Sequence, residues 1–225
     1  MKSKMTMLRG FCFLFTILTI VVLINGQNDY CNICRDHTMC RYTNPQPVCR
    51  ARVSSLSPAQ QNEIVNVHNE FRRRVASGSE SRGRPGPQPR ARNMPNMAWD
   101  GELATIAQRW ANQCRFGHDT CRNVRRFQVG QNVATAWTTG SNPSSLRNLI
   151  TMWYDEVAQF DRNQVERFVF NMNTGHYTQM LWAASVRIGC GYVNHMNGNR
   201  NTVLLVCNYG PAGNVRGGRM YDIAR

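Results

Sequence analysis

Four polar side chains in this sequence have the types and settings that could do chemistry: His118, Gln131, Glu156 and His176. His118 follows Cys114-Arg115-Phe116-Gly117 and precedes Asp119-Thr120-Cys121, Gln131 stands in Gly130-Gln131-Asn132, and Glu156 closes Trp153-Tyr154-Asp155-Glu156. His176 opens a short apolar turn that ends in Trp182. Glu156 lies three residues after Trp153 and seven after Leu149, so a helical period turns it toward the apolar side. An inward carboxylate needs partners to offset its desolvation. Two histidines can supply them, as protonated neighbours or around a metal. Neutral imidazoles can hold Zn2+ or Cu2+, with waters completing the shell and Glu156 accepting from a water. Taken singly, each histidine is equally a polar core residue satisfied by hydrogen bonds. A serine nucleophile has less to stand on: Ser185 follows the His176 stretch, but there is no Gly-x-Ser-x-Gly elbow and no paired Ser/His/Asp order. His37, His68 and His195 are read as scaffold.

The elements that must position these residues are legible to different degrees. Ser57, Pro58 and Gln60 form a capping pattern, and Ile64, Val67, His68, Phe71 and Val75 then share one helical face. Arg72-Arg73-Arg74 ends that helix with positive charge where its dipole favours it. Residues 77–92 carry prolines, glycines and Arg82, Arg84, Arg90 and Arg92, which predicts an exposed basic loop. A second helix is expected from Asp100 to about Cys114, and a third from about Ser144 to Phe160. Strands are expected over Gln131–Trp137, Arg187–Val193 and Thr202–Tyr209, with His195 to Asn201 as the hairpin connection between the last two. Cys190 and Cys207 would then face each other. Helices broken by short strands, with a terminal hairpin, point to an α+β layered domain.

Composition bounds the compartment and the partners. Met1-Lys2-Ser3-Lys4, an apolar run from Phe11 to Ile24, and Asn25-Gly26 read as a signal peptide over 1–26, the run being short for a membrane span. Residues 27–50 are a cysteine-rich arm, and 51–225 form one domain with a real core. Beyond the signal the cysteines are Cys31, Cys34, Cys40, Cys49, Cys114, Cys121, Cys190 and Cys207. An even set in a secreted chain reads as a disulfide framework, with on the order of a hundred possible pairings. The Cys31-Asn32-Ile33-Cys34 spacing is weaker support for thiolate zinc, because the secretory route oxidises thiols. The formal charge is +14, and about +11 without Lys2, Lys4 and Arg9. Both lysines lie in the signal, so the remaining fixed side-chain cations are arginines, suited to carboxylate, phosphate and sulfate groups. Acidic glycans and other anionic surfaces are therefore expected partners. No nucleic-acid partner and no membrane span are expected.

Two stretches carry a family resemblance: Gly175-His176-Tyr177-Thr178-Gln179-Met180-Leu181-Trp182-Ala183-Ala184-Ser185, and Leu204-Leu205-Val206-Cys207-Asn208-Tyr209-Gly210-Pro211-Ala212-Gly213-Asn214-Val215. They resemble the two signatures of the CAP superfamily, which groups cysteine-rich secretory, antigen 5 and pathogenesis-related proteins. The match runs from Cys31 to about Val215, and the arm, the Gln131 context and Pro85-Gly86-Pro87-Gln88-Pro89 look like the insect antigen 5 branch. The resemblance implies a disulfide-stapled three-layer α-β-α sandwich with a cysteine-rich N-terminal arm. It places His118, Glu156 and His176 on three positions of a cleft of two histidines and two acids, and Gln131 on the fourth, where many relatives carry glutamate. A glutamine amide takes no proton at neutral pH, so a mechanism needing two carboxylates loses a member. The resemblance also implies the pairs Cys31–Cys40, Cys34–Cys121, Cys49–Cys114 and Cys190–Cys207. It implies a secreted, monomeric, non-enzymatic venom or salivary protein acting on extracellular host targets. Sequestering small lipid mediators is one such role. Integrin antagonism is another, although the sequence has no Arg-Gly-Asp and offers only Arg35-Asp36 in a short stapled loop. A Zn- or Cu-dependent enzyme built on His118 and His176 is the third.

Overall fold

The computed structural model of the chain describes residues 29–224, so the signal segment expected over 1–26 lies outside the described residues. After a helical segment at 29–33, the elements run α1 (Thr38–Arg41), β1 (Ala51–Val53), α2 (Pro58–Ala76), β2 (Ala91–Asn93), β3 (Ala98–Trp99) and α3 (Gly101–Ala111). They continue through β4 (Gly130–Thr138), α4 (Leu146–Asp155), α5 (Gly175–Met180), β5 (Arg187–Asn197), β6 (Arg200–Gly210) and β7 (Asp222–Ile223).

The central sheet has the order β1-β5-β6-β4, and β3 pairs in parallel with the start of β5. Alternation along its strands feeds two cores. Val133, Val193, Leu204 and Val206 pack with Ala107, Trp110 and Ala111 of α3. Ala134, Val203, Leu205 and Tyr209 face the opposite way, toward Ile64 and Phe71 of α2, Leu149 and Trp153 of α4, and Tyr177 of α5. This is the α-β-α sandwich, with both sheet faces covered and each fully buried aliphatic side chain contributing about 1.5–3 kcal/mol. Helix α3 lies so close to β5 that only glycine fits beneath it. A Cβ on Gly189 would fall 2.2 Å from the Ala104 nitrogen, and one on Gly191 would fall 2.3 Å from Gln108 Cα.

The helix starts follow local chemistry. Ser57 Oγ accepts from the Gln60 amide (3.3 Å) while Gln60 Oε1 accepts from the Ser57 amide (2.8 Å). Asp100 caps α3 through the Leu103 amide (3.1 Å), and Ser145 caps α4 through Asn148 (3.2 Å). Two helix ends come earlier than the apolar period suggests. Helix α3 stops at Ala111, and Cys114 turns the chain with φ 55°. Helix α4 stops at Asp155 and tightens into a 3-10 turn over Glu156–Gln159. The β5–β6 hairpin is longer than expected: pairing continues to Asn197↔Arg200, and Gly198 (φ 60°) makes the turn.

Two basic stretches behave differently from expectation. Arg72 does not sit at the helix end in solvent. It is fully buried, and it donates to Pro95 O (2.9 Å), Met180 O (2.9 Å), Trp182 O (2.9 Å) and Ala183 O (3.2 Å). It thereby satisfies carbonyls freed at the C-terminus of α5, and burial lowers its pKa to about 10. The 77–92 loop is only partly an exposed basic loop. Glu80 within it is buried, pairs with Arg74 (3.1 Å) and Arg82 (2.8 Å), and accepts from Tyr154 Oη (2.7 Å). That one carboxylate draws the loop onto α4, while Arg84, Arg90 and Arg92 stay exposed.

Among the described residues four disulfides close the chain: Cys31–Cys40, Cys34–Cys121, Cys49–Cys114 and Cys190–Cys207. The first is internal to the arm, the next two fasten it to the segment after α3, and the last crosses β5 and β6 at directly opposed residues. Each contributes typically ~2–4 kcal/mol. Cys31 and Cys34 are therefore both in disulfides and unavailable as thiolate metal ligands.

Candidate functional site

The four residues singled out from the sequence come together at the start of β4, an outer strand of the sheet. They arrive from opposite layers. Gln131 shares a strand face with Val133, which packs on α3, and lies opposite Asn208 of β6. His118 reaches it from the segment between α3 and β4. Glu156 and His176 come from the other layer, at the end of α4 and in the first turn of α5.

The His118 half is held rigidly. Cys114 and Cys121 bracket it and are tied to Cys49 and Cys34. Trp110 Nε1 donates to Gly117 O (2.8 Å), and Thr38 donates to the Asp119 carboxylate. His118 Nδ1 lies 2.8 Å from Gln131 Oε1. The amide of Gln131 has one consistent orientation: Nε2 donates to Asp119 Oδ1 (3.0 Å) and Asn208 Oδ1 (3.0 Å). Asn208 is fixed in turn, because its Nδ2 donates to Leu103 O (3.3 Å). Oε1 of Gln131 therefore accepts from His118 Nδ1–H, which leaves the His118 Nε2 lone pair free. Burial lowers the His118 pKa, the Gln131 acceptor opposes that, and the Arg122 and His176 charges lower it further.

The His176 half is built on Glu156. Its Oε1 lies 2.6 Å from His176 Nδ1, and its Oε2 accepts from the backbone amides of His176 (2.9 Å) and Tyr177 (3.1 Å). One carboxylate thus satisfies free amides at the start of α5 and orients the imidazole, again with Nε2 left unengaged. Trp153 stacks on the His176 ring at 6.0 Å between centroids. The partners expected for Glu156 were both histidines; it reaches only His176, because the 3-10 turn aims it at α5.

Arg35 and Asp36 are both exposed in a turn of the arm, with Asp36 paired to Arg41 (3.3 Å). His68 is scaffold: it is buried, with Nδ1 2.8 Å from Ile64 O and Nε2 2.9 Å from Tyr209 Oη. Asp119, Asn132 and Asn208 are site residues that the sequence did not single out. Asn132 donates to His176 O (3.1 Å) and Tyr209 Oη (3.2 Å), so it couples the cleft to the core. The signal for Asp119 was its place inside the cysteine bracket. Asn208 could be found only from its register opposite Gln131.

Chemically, the two free Nε2 atoms suit a soft or borderline divalent cation. Among the described residues no three His, Cys, Asp or Glu side chains converge on a metal position, so such an ion would need outside ligands. The described residues also contain no helix long and apolar enough to cross a membrane.

Comparison with known proteins places the fold in a family. Residues 65–209 match the family model of the cysteine-rich secretory protein family, CAP. The chain is 49% identical over 211 residues to venom allergen 3 of Solenopsis invicta, covering 88% of this chain and 90% of that protein. It is 49% identical over 203 residues to venom allergen 5.02 of Dolichovespula maculata, covering 87% and 94%. Among solved structures, BmVAL-1 is similar with a TM-score of 0.66 and 31% identity, covering 80% of this chain and 87% of that one. NaASP2 with Zn2+ is similar with a TM-score of 0.63 and 28% identity, covering 79% and 91%. The matched span holds all four cleft residues, and the layered fold is the same: the chain belongs to the CAP family, in its insect antigen 5-like branch.

Proposed function

We propose that this chain is a secreted, non-enzymatic binding protein of the venom-allergen type, whose His118/His176 cleft holds an exchangeable divalent cation. One observation carries the reading. Both imidazoles spend Nδ1–H on an internal oxygen, His118 on Gln131 and His176 on Glu156, and both keep Nε2 available. His118 and His176 would hold Zn2+ or Cu2+ through these nitrogens. The ion would supply a docking charge that an oxygen of a host ligand can share. The cleft has little to offer as a proton-transfer site: Gln131 is an amide, and both oxygens of Glu156 already accept from α5. NaASP2, a relative in fold, has been crystallised with Zn2+. Calorimetric titration of the mature protein with ZnCl2 should give one site per chain, lost in His118→Ala and in His176→Ala. Binding that survives both substitutions would end this reading.

Interference with host haemostasis or inflammation by taking up small lipids is the physiological role we attach to it. The support is a groove of about 300 Å3 between α3, β5 and the arm, with Leu56, Trp99, Ala104 and Cys190 in its lining. Fluorescent fatty-acid displacement tests it, and no displacement at micromolar protein would remove this role. Adhesion antagonism through Arg35 and Asp36 has their exposure in its favour, and the Arg41 pairing of Asp36 against it.

A further inference from the structure

We infer that Asp119 is the positioning residue of the cleft: through Gln131 it sets which nitrogen of His118 faces outward, and it makes glutamine the residue that fits position 131. This rests on the reading of the histidine pair as a cation site. Asp119 is buried and acts only as an acceptor when ionised. Its carboxylate is anchored from two sides, by Thr38 from the arm and by Arg122 three residues on. Oδ1 then takes one proton of Gln131 Nε2 at 3.0 Å, and Asn208 Oδ1 takes the other at 3.0 Å. With both amide protons claimed, the carbonyl end of Gln131 can only point at His118.

The same geometry explains why an amide fits at position 131. A glutamate at 131 would put one of its oxygens about where Nε2 is, facing two acceptor oxygens at hydrogen-bond distance with no proton between them. Asp119 and Gln131 are in this sense one unit. Asp119 supplies the acid, and its Oδ1 is shared between Arg122 and Gln131.

The tautomer of His118 tests this without any metal. Long-range proton–nitrogen correlation on the metal-free, nitrogen-15-labelled mature protein at pH 7.5 should show His118 protonated at Nδ1 and bare at Nε2. Asp119→Leu, which removes the acceptor, should convert His118 to a mixture of tautomers and weaken Zn2+ binding about 10–100-fold. An unchanged tautomer in a folded Asp119→Leu protein would overturn the inference. Asp119→Leu also leaves Thr38 and Arg122 without their partner, so a second variant covers the case in which it fails to fold. Gln131→Glu, nearly isosteric, should lower the urea midpoint at pH 7.5, whereas a midpoint equal to wild type would refute the exclusion of a carboxylate by Asp119. If wild type takes up no Zn2+ while the tautomer responds as stated, the cation reading fails and the positioning role stands.

Discussion

Acidification should destabilise this protein through one buried imidazole, His68. The ring lies under α2 with no solvent exposure, and burial, aided by the Arg72 charge, lowers its pKa from 6.5 to about 4 against the Ile64 carbonyl bond that raises it. Its hydrogen bonds fit only the neutral ring. Nδ1–H donates to Ile64 O, and Nε2 accepts from Tyr209 Oη, which itself accepts from Asn132. The unfolded state therefore binds a proton that the folded state refuses between these two pKa values, and stability rises with pH across that window. The contribution is fully present above about pH 6.5 and is lost as pH falls toward 4. At about 1.4 kcal/mol per pKa unit, roughly 2 kcal/mol is gone by pH 5 and about 3 by pH 4. Urea unfolding at a series of pH values, with disulfides intact, measures this. At an m-value of about 2 kcal/mol per molar, the midpoint should drop by about 1 M between pH 7 and pH 5. His37 and His118 also have lowered pKa values, so the decisive quantity is wild type minus His68→Gln. His68→Gln should be less stable at pH 7 and lose correspondingly less on acidification. Parallel curves for the two proteins would refute the assignment.

Three further outcomes follow from the packing. Arg72→Leu should destabilise by roughly 3–5 kcal/mol in urea titration, because it orphans carbonyls at the end of α5. Gly191→Ala should lower stability by about 1–3 kcal/mol, since its Cβ would meet Gln108 Cα at 2.3 Å, and thermal denaturation reads this directly. Glu80→Gln should increase proteolytic nicking within 77–92 and destabilise by about 2 kcal/mol, because its pairs with Arg74 and Arg82 are lost together. Cleavage after Arg82 or Arg90 by trypsin under native conditions is the measurement for the last.

Much of the fold was written in short-range signals. The Ser57–Gln60 box, the Asp100 cap and the facing of Cys190 and Cys207 depend on residues a few positions apart or on a simple hairpin, and each is present. What local pattern could not show is where buried charge goes. Arg72 and Glu80 both sit in runs that look like solvated surface, and both are fully buried because each finds partners distant in sequence or on another element. The cleft shows the same division. His118, Gln131, Glu156 and His176 could be picked out by motif, but Asn208 acquires its role from strand register and Asp119 from the arm that Thr38 brings over it.

The disulfides Cys34–Cys121 and Cys49–Cys114 enclose sequence separations of 87 and 65 residues, and His118 lies between their distal ends. Seen as a schedule of synthesis, one wall of the cleft can be fastened by oxidation before α4 and α5 have been made. Cys34 has no partner until the chain beyond α3 has been made, and the wall is covalently fixed only where thiols can be oxidised. A reduced chain would hold the His118 segment by hydrogen bonds alone, while Glu156 and His176 need only α4 and α5 to meet. The two halves of the cleft are thus completed by different events, one by packing and one by redox chemistry.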